Sequence, residues 1–193
     1  MHIGLFLGSF NPIHNGHIGL AQYILSHSGL DEIWLVVSPN NPLKNKSTLL
    51  DENIRMDMVR LSVAGLEHIE PCDIELTLPR PSYTANTLRA LTAKYPEHEF
   101  SLIIGSDNMA IFRRWREWEY IYDNFNIFAY PRMGDNIEML SRQYPKMKVI
   151  KDAPLFIISS TEIRKLYKEG KDFSEFVPQN VYLTLSENKN FWE

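Results

Sequence analysis

Short apolar runs that stop at glycine, serine or proline alternate along this chain with stretches of helical apolar spacing, and that alternation most restricts the fold. IGLFLGS (3–9) reads as a buried strand ending in Gly and Ser, and GHIGLAQYILSH (16–27), with apolar residues at 18, 20, 21, 24 and 25, reads as a helix. DEIWLVVSP (31–39) is a second buried strand stopped by Pro39, PNNPLKNKS (39–47) is loop by composition, and 51–65 is helical with Gly65 as its stop. A weaker strand over 67–72 and a proline-rich loop at 78–82 precede a helix over 83–96, with Thr84 or Ser82 as its cap. The spacing then predicts a strand over 99–107, one helix over 107–123, a strand over 124–132, a short helix over 138–145 and a strand over 146–150. LFIIS (155–159) is extended and leads into a helix over 160–170, and Pro178 starts a last one. Strands alternating with helices imply βαβ units. The expected class is α/β, Rossmann-like and doubly wound, with a mostly parallel sheet and helices on both faces. The chain reads as one domain over 1–193 with a small helical C-terminal part, about 159–193.

Length and composition bound the function. A chain of 193 residues buries about 70% of its unfolded surface and needs no staples. Apolar residues at 44% and charged residues at 23% are ordinary for a globular protein, and a net charge of −4 argues against a nucleic-acid-coating role. The lone Cys72 allows no intrachain disulfide and fits a reducing compartment. The N-terminus lacks the basic segment of a signal peptide, and no apolar stretch approaches the roughly 20 residues of a membrane span. The expected setting is cytoplasmic.

In such folds ligands bind beyond the carboxyl ends of the strands, so the residues that follow strands carry the chemistry. GSFNPIHNGHIG (8–19) follows the first strand. Gly8 lets the backbone approach a ligand, and His14 and His17 lie three apart at a helix start, where free N–H groups and the positive helix end favour anions. Two imidazoles add directional donors whose charge rises beside an anion. A metal pair at this spacing without a third ligand is the weaker reading, and the stretch fits neither the dinucleotide fingerprint nor the P-loop. The reading is a phosphate site.

FIISSTEIRK (156–165) gathers Ser159, Ser160 and Thr161 at a helix start with Arg164 one turn in. Hydroxyls, backbone N–H groups and a guanidinium suit a polyphosphate. Alone it would read as a hydroxyl cap with a solvent-facing Arg. Beside the first stretch it reads as the other end of one phosphate chain. In IIGSDNMAIFRRWREWEYI (103–121), Gly105 ends a strand, Asp107 accepts from ribose hydroxyls or caps the helix, and Trp115 and Trp118 stand in a context too polar for a pure core face.

Together these stretches resemble the nicotinate-nucleotide adenylyltransferase branch of the nucleotidyltransferase superfamily. GSFNPIHNGH is similar to G-x-F-[DN]-P-x-H-x-G-H, SSTEIR to I-S-S-T-x-I-R, and PSYTANTL (81–88), IIGSDN, FRRWREWEY and the C-terminal stretch resemble that branch over nearly the whole chain. The resemblance implies adenylyl transfer from ATP to nicotinate mononucleotide. It implies ATP contacts at Gly8, Ser9, Phe10, His14, His17, Gly105, Asp107, Ser159, Ser160, Thr161 and Arg164, with His14, His17 and Arg164 catalytic. It implies mononucleotide contacts at Ser9, Asn40 or Asn41, Lys44, Thr84, Trp115 and the backbone N–H of Arg116. Mg²⁺ is expected to arrive with ATP rather than in a carboxylate cage of the protein.

Two departures stand out. After strand two the family usually reads P-x-x-x-P-P-H-[KR], whereas PNNPLKNK is one residue shorter, and Asn11 replaces the commoner Asp. Alternative readings are another acceptor, nicotinamide mononucleotide or phosphopantetheine, and a non-catalytic nucleotide sensor. ATP and the mononucleotide are the expected partners, with no nucleic acid and no membrane, and a homo-oligomer is compatible with the reading. Phe191 and Trp192 read as either a packing anchor or an interface.

Overall fold

The fold is described from a computed structural model covering residues 1–39, 48–188 and 190–192. Its strands are β1 (His2–Gly8), β2 (Glu32–Val37), β3 (Ile69–Cys72), β4 (Glu99–Gly105), β5 (Asn126–Tyr130) and β6 (Lys148–Val149). The helices are α1 (Asn15–Ser28), α2 (Glu52–Val63), α3 (Thr84–Lys94), α4 (Ser106–Ala110), α5 (Trp118–Asn124), α6 (Ile137–Gln143), α7 (Ser160–Lys168) and α8 (Gln179–Glu187).

The six strands form one sheet in the order β3-β2-β1-β4-β5-β6, with every neighbouring pair parallel. The central strands are mostly apolar because both sheet faces are covered. One face packs Phe6, Leu35 and Phe128 against Leu20, Ile24, Val59, Ile163 and Val181 of α1, α2, α7 and α8. The other packs Leu5, Leu102 and Ile104 against Leu88, Met109, Ile121 and Leu140 of α3 to α6. The order in which strands are added reverses between β1 and β4, so the doubly wound switch point lies beyond Gly8 and Gly105.

The predicted strands and most helices appear within one to three residues of their expected bounds. Two expectations need correction. The single helix over 107–123 is three pieces, α4, a 3-10 turn Phe112–Arg114 and α5, because Trp115 is extended (φ −72°, ψ 142°) and Glu117 is left-handed (φ 57°). Neither Ser82 nor Thr84 caps α3: the N-cap is Tyr83, and its side chain makes no capping bond. Residues 155–159, read as extended, pair with no strand and run along the cleft described below.

Trp192 is buried and its Nε1 donates to the Thr48 carbonyl at 3.0 Å, so it serves as a packing anchor. Cys72 is buried, and that burial pushes its thiol up to about 11, an unreactive state. No helix among the described residues is long and apolar enough to cross a membrane.

Candidate active site

A cleft of about 1080 Å³ opens at the switch point. Gly8, Ser9, Phe10, His14, His17, Thr84, Gly105, Asp107, Trp115, Arg116, Ser159, Ser160, Thr161 and Arg164 all line it. Asn40, Asn41 and Lys44 lie outside the described residues.

The turn after β1 is the hub. Asn11 is buried; its Nδ2 donates to the Thr48 carbonyl at 2.7 Å, and its Oδ1 accepts from the Leu50 N–H at 3.1 Å. An aspartate there could not donate, which gives the departure at this position a local reason. The two signature stretches meet at the same turn. Ser160 Oγ donates to the Pro12 carbonyl at 2.9 Å, and Arg164 Nη1 donates to the Asn11 carbonyl at 2.8 Å. Gly8 is required there, because a Cβ would lie 2.8 Å from Cζ of the buried Phe10 ring.

His14 is the N-cap of α1, and His17 lies in the first turn with the two rings stacked at 3.7 Å. The His14 N–H donates to His17 Nδ1 at 3.3 Å, so the neutral His17 ring carries its proton on Nε2. Burial, helped by the nearby positive Arg132, lowers the His14 pKa from 6.5 to about 4, so His14 is neutral at pH 7. Gly16 leaves room for that ring: a Cβ would sit 3.0 Å from His14 Nδ1 and 3.0 Å from Phe156 Cβ.

At the start of α7, Ser159 Oγ accepts from the Glu162 N–H at 3.1 Å and caps the helix. Arg164 Nη2 donates to Thr161 Oγ1 at 3.1 Å, and burial lowers the pKa of Arg164. With the Ser160 hydroxyl proton committed to Pro12, that residue offers a ligand its backbone N–H. Across the cleft, Gly105 is the N-cap of α4, so Asp107 is not. The Asp107 carboxylate instead faces Arg132, with Nε to Oδ1 at 3.7 Å. A Cβ on Gly105 would approach that carboxylate to 2.4 Å.

The third wall is built by the break in the predicted helix. Extended backbone at Trp115 turns the indole onto Phe112, centroid to centroid 5.5 Å, and the Arg116 guanidinium lies 4.8 Å above the Tyr83 ring. The Arg116 N–H donates to no backbone carbonyl among the described residues. Thr84 begins α3 and lines the same cleft.

Among the described residues, His14 Nδ1 and Trp115 Nε1 are buried polar atoms without partners, and both residues line the cleft. Orphaned groups are rare in folded proteins, and their convergence marks where a polar ligand belongs. Glu75 and Arg132 escaped the sequence reading. Glu75 accepts from Thr87 Oγ1 at 2.7 Å, and burial raises its pKa against the opposing pull of the Thr87, Ser38 and Ser82 hydroxyls. The only signal for Glu75 was a carboxylate shortly after a strand, and for Arg132 a cation at the same kind of place.

The sequence model of the cytidylyltransferase-like family matches residues 5–166. A probable nicotinate-nucleotide adenylyltransferase of Flavobacterium johnsoniae is 48% identical over all of both chains. One of Bacteroides fragilis is 46% identical over 93% of this chain and 88% of its own. The solved Plasmodium falciparum nicotinic acid mononucleotide adenylyltransferase in complex with NaAD shares the fold, with a TM-score of 0.81 at 22% identity over 98% of each chain. Full-length identity at this level, on a cleft where both signature stretches meet, decides the family: the chain belongs to the nicotinate-nucleotide adenylyltransferases, within the cytidylyltransferase-like group.

Proposed function

We propose that the protein transfers the adenylyl group of ATP to the 5′-phosphate of nicotinate mononucleotide, giving nicotinate adenine dinucleotide and pyrophosphate in NAD biosynthesis. The observation that carries this reading is the direct contact of the SSTEIR helix with the GSFNP turn, Arg164 to Asn11 and Ser160 to Pro12, beside a separate Thr84–Trp115 wall. One side suits a polyphosphate and the other a small aromatic acid.

In this reading an oxygen of the mononucleotide phosphate attacks the α-phosphorus of ATP. The new P–O bond forms as the bond to the β-phosphate oxygen breaks, and the electron pair leaves with pyrophosphate. A phosphate oxygen is already a nucleophile, so the protein supplies alignment and charge stabilisation. His17 contacts the α-phosphate. His14, neutral before ATP arrives, is drawn toward its charged form by the polyphosphate. Ser159, Ser160, Thr161 and Arg164 hold the β- and γ-phosphates, where charge accumulates on the leaving group, and Gly105 and Asp107 hold the ribose.

Mg²⁺ enters as part of the substrate, MgATP. No group of three or more His, Cys, Asp or Glu side chains among the described residues could hold a metal ion, and Mg²⁺ retains water and phosphate ligands readily. Trp115 stacks on the cationic pyridinium ring. Thr84 and the Arg116 N–H donate to its carboxylate, and the amide of nicotinamide would set N–H₂ against these donors. A cytoplasmic setting goes with this chemistry and with the single buried cysteine.

The test is product analysis with MgATP and nicotinate mononucleotide, with Thr84→Ala and Trp115→Ala beside the parent. The dinucleotide should form, and both substitutions should raise KM for the mononucleotide more than KM for ATP. Unchanged mononucleotide kinetics would refute the pocket assignment.

A further inference from the structure

Arg55 is the largest fully buried side chain on α2, and it is not among the residues lining the cleft. Its guanidinium is spent on four backbone carbonyls. Nε donates to Leu50 at 2.9 Å, Nη1 to Ser9 at 2.5 Å and Ser38 at 2.8 Å, and Nη2 to Pro39 at 3.1 Å. Asp51 and Glu52 act on it only through space; burial is the larger influence and lowers its pKa to about 10, which leaves it charged at neutral pH. A buried cation without a hydrogen-bonded carboxylate is costly unless the geometry around it does something a neutral residue could not.

That geometry points at the Ser9–Phe10 peptide. The peptide is trans, so its N–H points opposite to its carbonyl. With the carbonyl turned down onto Arg55, the Phe10 N–H is turned the other way, and Ser9 and Phe10 both line the cleft. That N–H donates to no backbone carbonyl among the described residues. Phe10 also has φ 44°, a conformation that L side chains rarely adopt and that persists only where the surroundings enforce it. Its ring, buried 5.1 Å from His17 and 6.0 Å from Phe6, pins one side of the residue, and Arg55 pins the other.

We propose that Arg55 is a positioning residue for adenylyl transfer: by holding the Ser9 carbonyl from behind, it aims the Phe10 N–H into the cleft and polarises it as a donor to an ATP phosphate. The inference rests on the reading that phosphate binds at this turn. A lysine could not reproduce it, since an ammonium lacks the planar fan of donors that spans four carbonyls.

The test uses the ¹⁵N-labelled full chain and α,β-methylene ATP. The Phe10 amide proton of the parent should move downfield when the analogue binds. Arg55→Met should lose that shift and Arg55→Lys should keep part of it. Below the melting transition of each variant, kcat should fall about a hundredfold in Arg55→Met, the scale of losing one oriented donor, with a smaller change in KM for ATP. A parent Phe10 amide that does not respond to the bound analogue overturns the inference, whether or not either variant folds. So does a cooperatively folded Arg55→Met with kcat within about twofold of the parent. A responding Phe10 amide in a protein that does not turn over nicotinate mononucleotide would count against the acceptor alone and leave Arg55 in its role.

Discussion

Acidification should destabilise this protein through His14, and the size of the effect follows from its burial. The ring pKa lies at about 4 in the folded state against 6.5 when exposed, chiefly because burial disfavours the imidazolium and secondarily because Arg132 is near. Below pH 6.5 the unfolded chain binds a proton that the folded chain refuses. Stability contributed by neutral His14 is therefore complete above 6.5 and is lost as pH falls toward 4 and below. At 1.36 kcal/mol per pH unit, the loss between pH 7.5 and pH 5 is about 2 kcal/mol. The assay is urea unfolding of the parent and His14→Gln at both pH values with equal m-values. The parent should lose about 2 kcal/mol more than the variant between these two pH values. Equal losses would refute the claim that the folded protein keeps this ring neutral. Calorimetry with MgATP in buffers of different ionisation enthalpy extends the test, because phosphates raising the pKa of His14 should draw a proton into the complex.

Glu75→Gln should stabilise the protein near pH 8. A carboxyl whose folded pKa is raised by burial loses its stabilising contribution as pH climbs above its unfolded value, and the amide has no proton to lose; an unfolding free energy that falls on substitution would contradict this. Gly16→Ala should cut kcat about tenfold without unfolding the chain, since its Cβ must push the His14 ring and Phe156 from 3.0 Å contacts, and kinetics equal to the parent would mean the ring's position is not critical. Trp192→Phe should cost about 1 kcal/mol in chemical denaturation through loss of the hydrogen bond to Thr48, and no loss would remove its anchoring role.

The sheet was readable because each strand is a short apolar run with a breaker at its end, and period and punctuation are local properties. The starts of α1 and α7 were readable for the same reason: the apolar spacing from Ile18 and the hydroxyls at 159–161 lie within a turn of them. The helix over 107–123 misled because its apolar spacing is helical throughout, while the break at Trp115 to Glu117 goes with tertiary contacts, Trp115 on Phe112 and Arg116 over Tyr83, that local spacing does not show. Arg55 was invisible for a related reason. In ENIRMDMVRL it sits among charged neighbours and resembles a solvated helix face, and only the folded chain brings the carbonyls of Ser9, Ser38 and Pro39 around it. Glu75 and Arg132 likewise acquire meaning from partners far away in sequence. The His, Ser and Gly positions of the cleft were legible because they belong to compact motifs.

The measurement that bears most directly on the whole account is pyrophosphate release from MgATP with nicotinate mononucleotide and nicotinamide mononucleotide compared side by side, with His17→Ala beside the parent. The account predicts strong turnover with the nicotinate form, much weaker turnover with the nicotinamide form, and loss of both in the variant. Turnover with neither acceptor, or turnover that His17→Ala leaves intact, would contradict it.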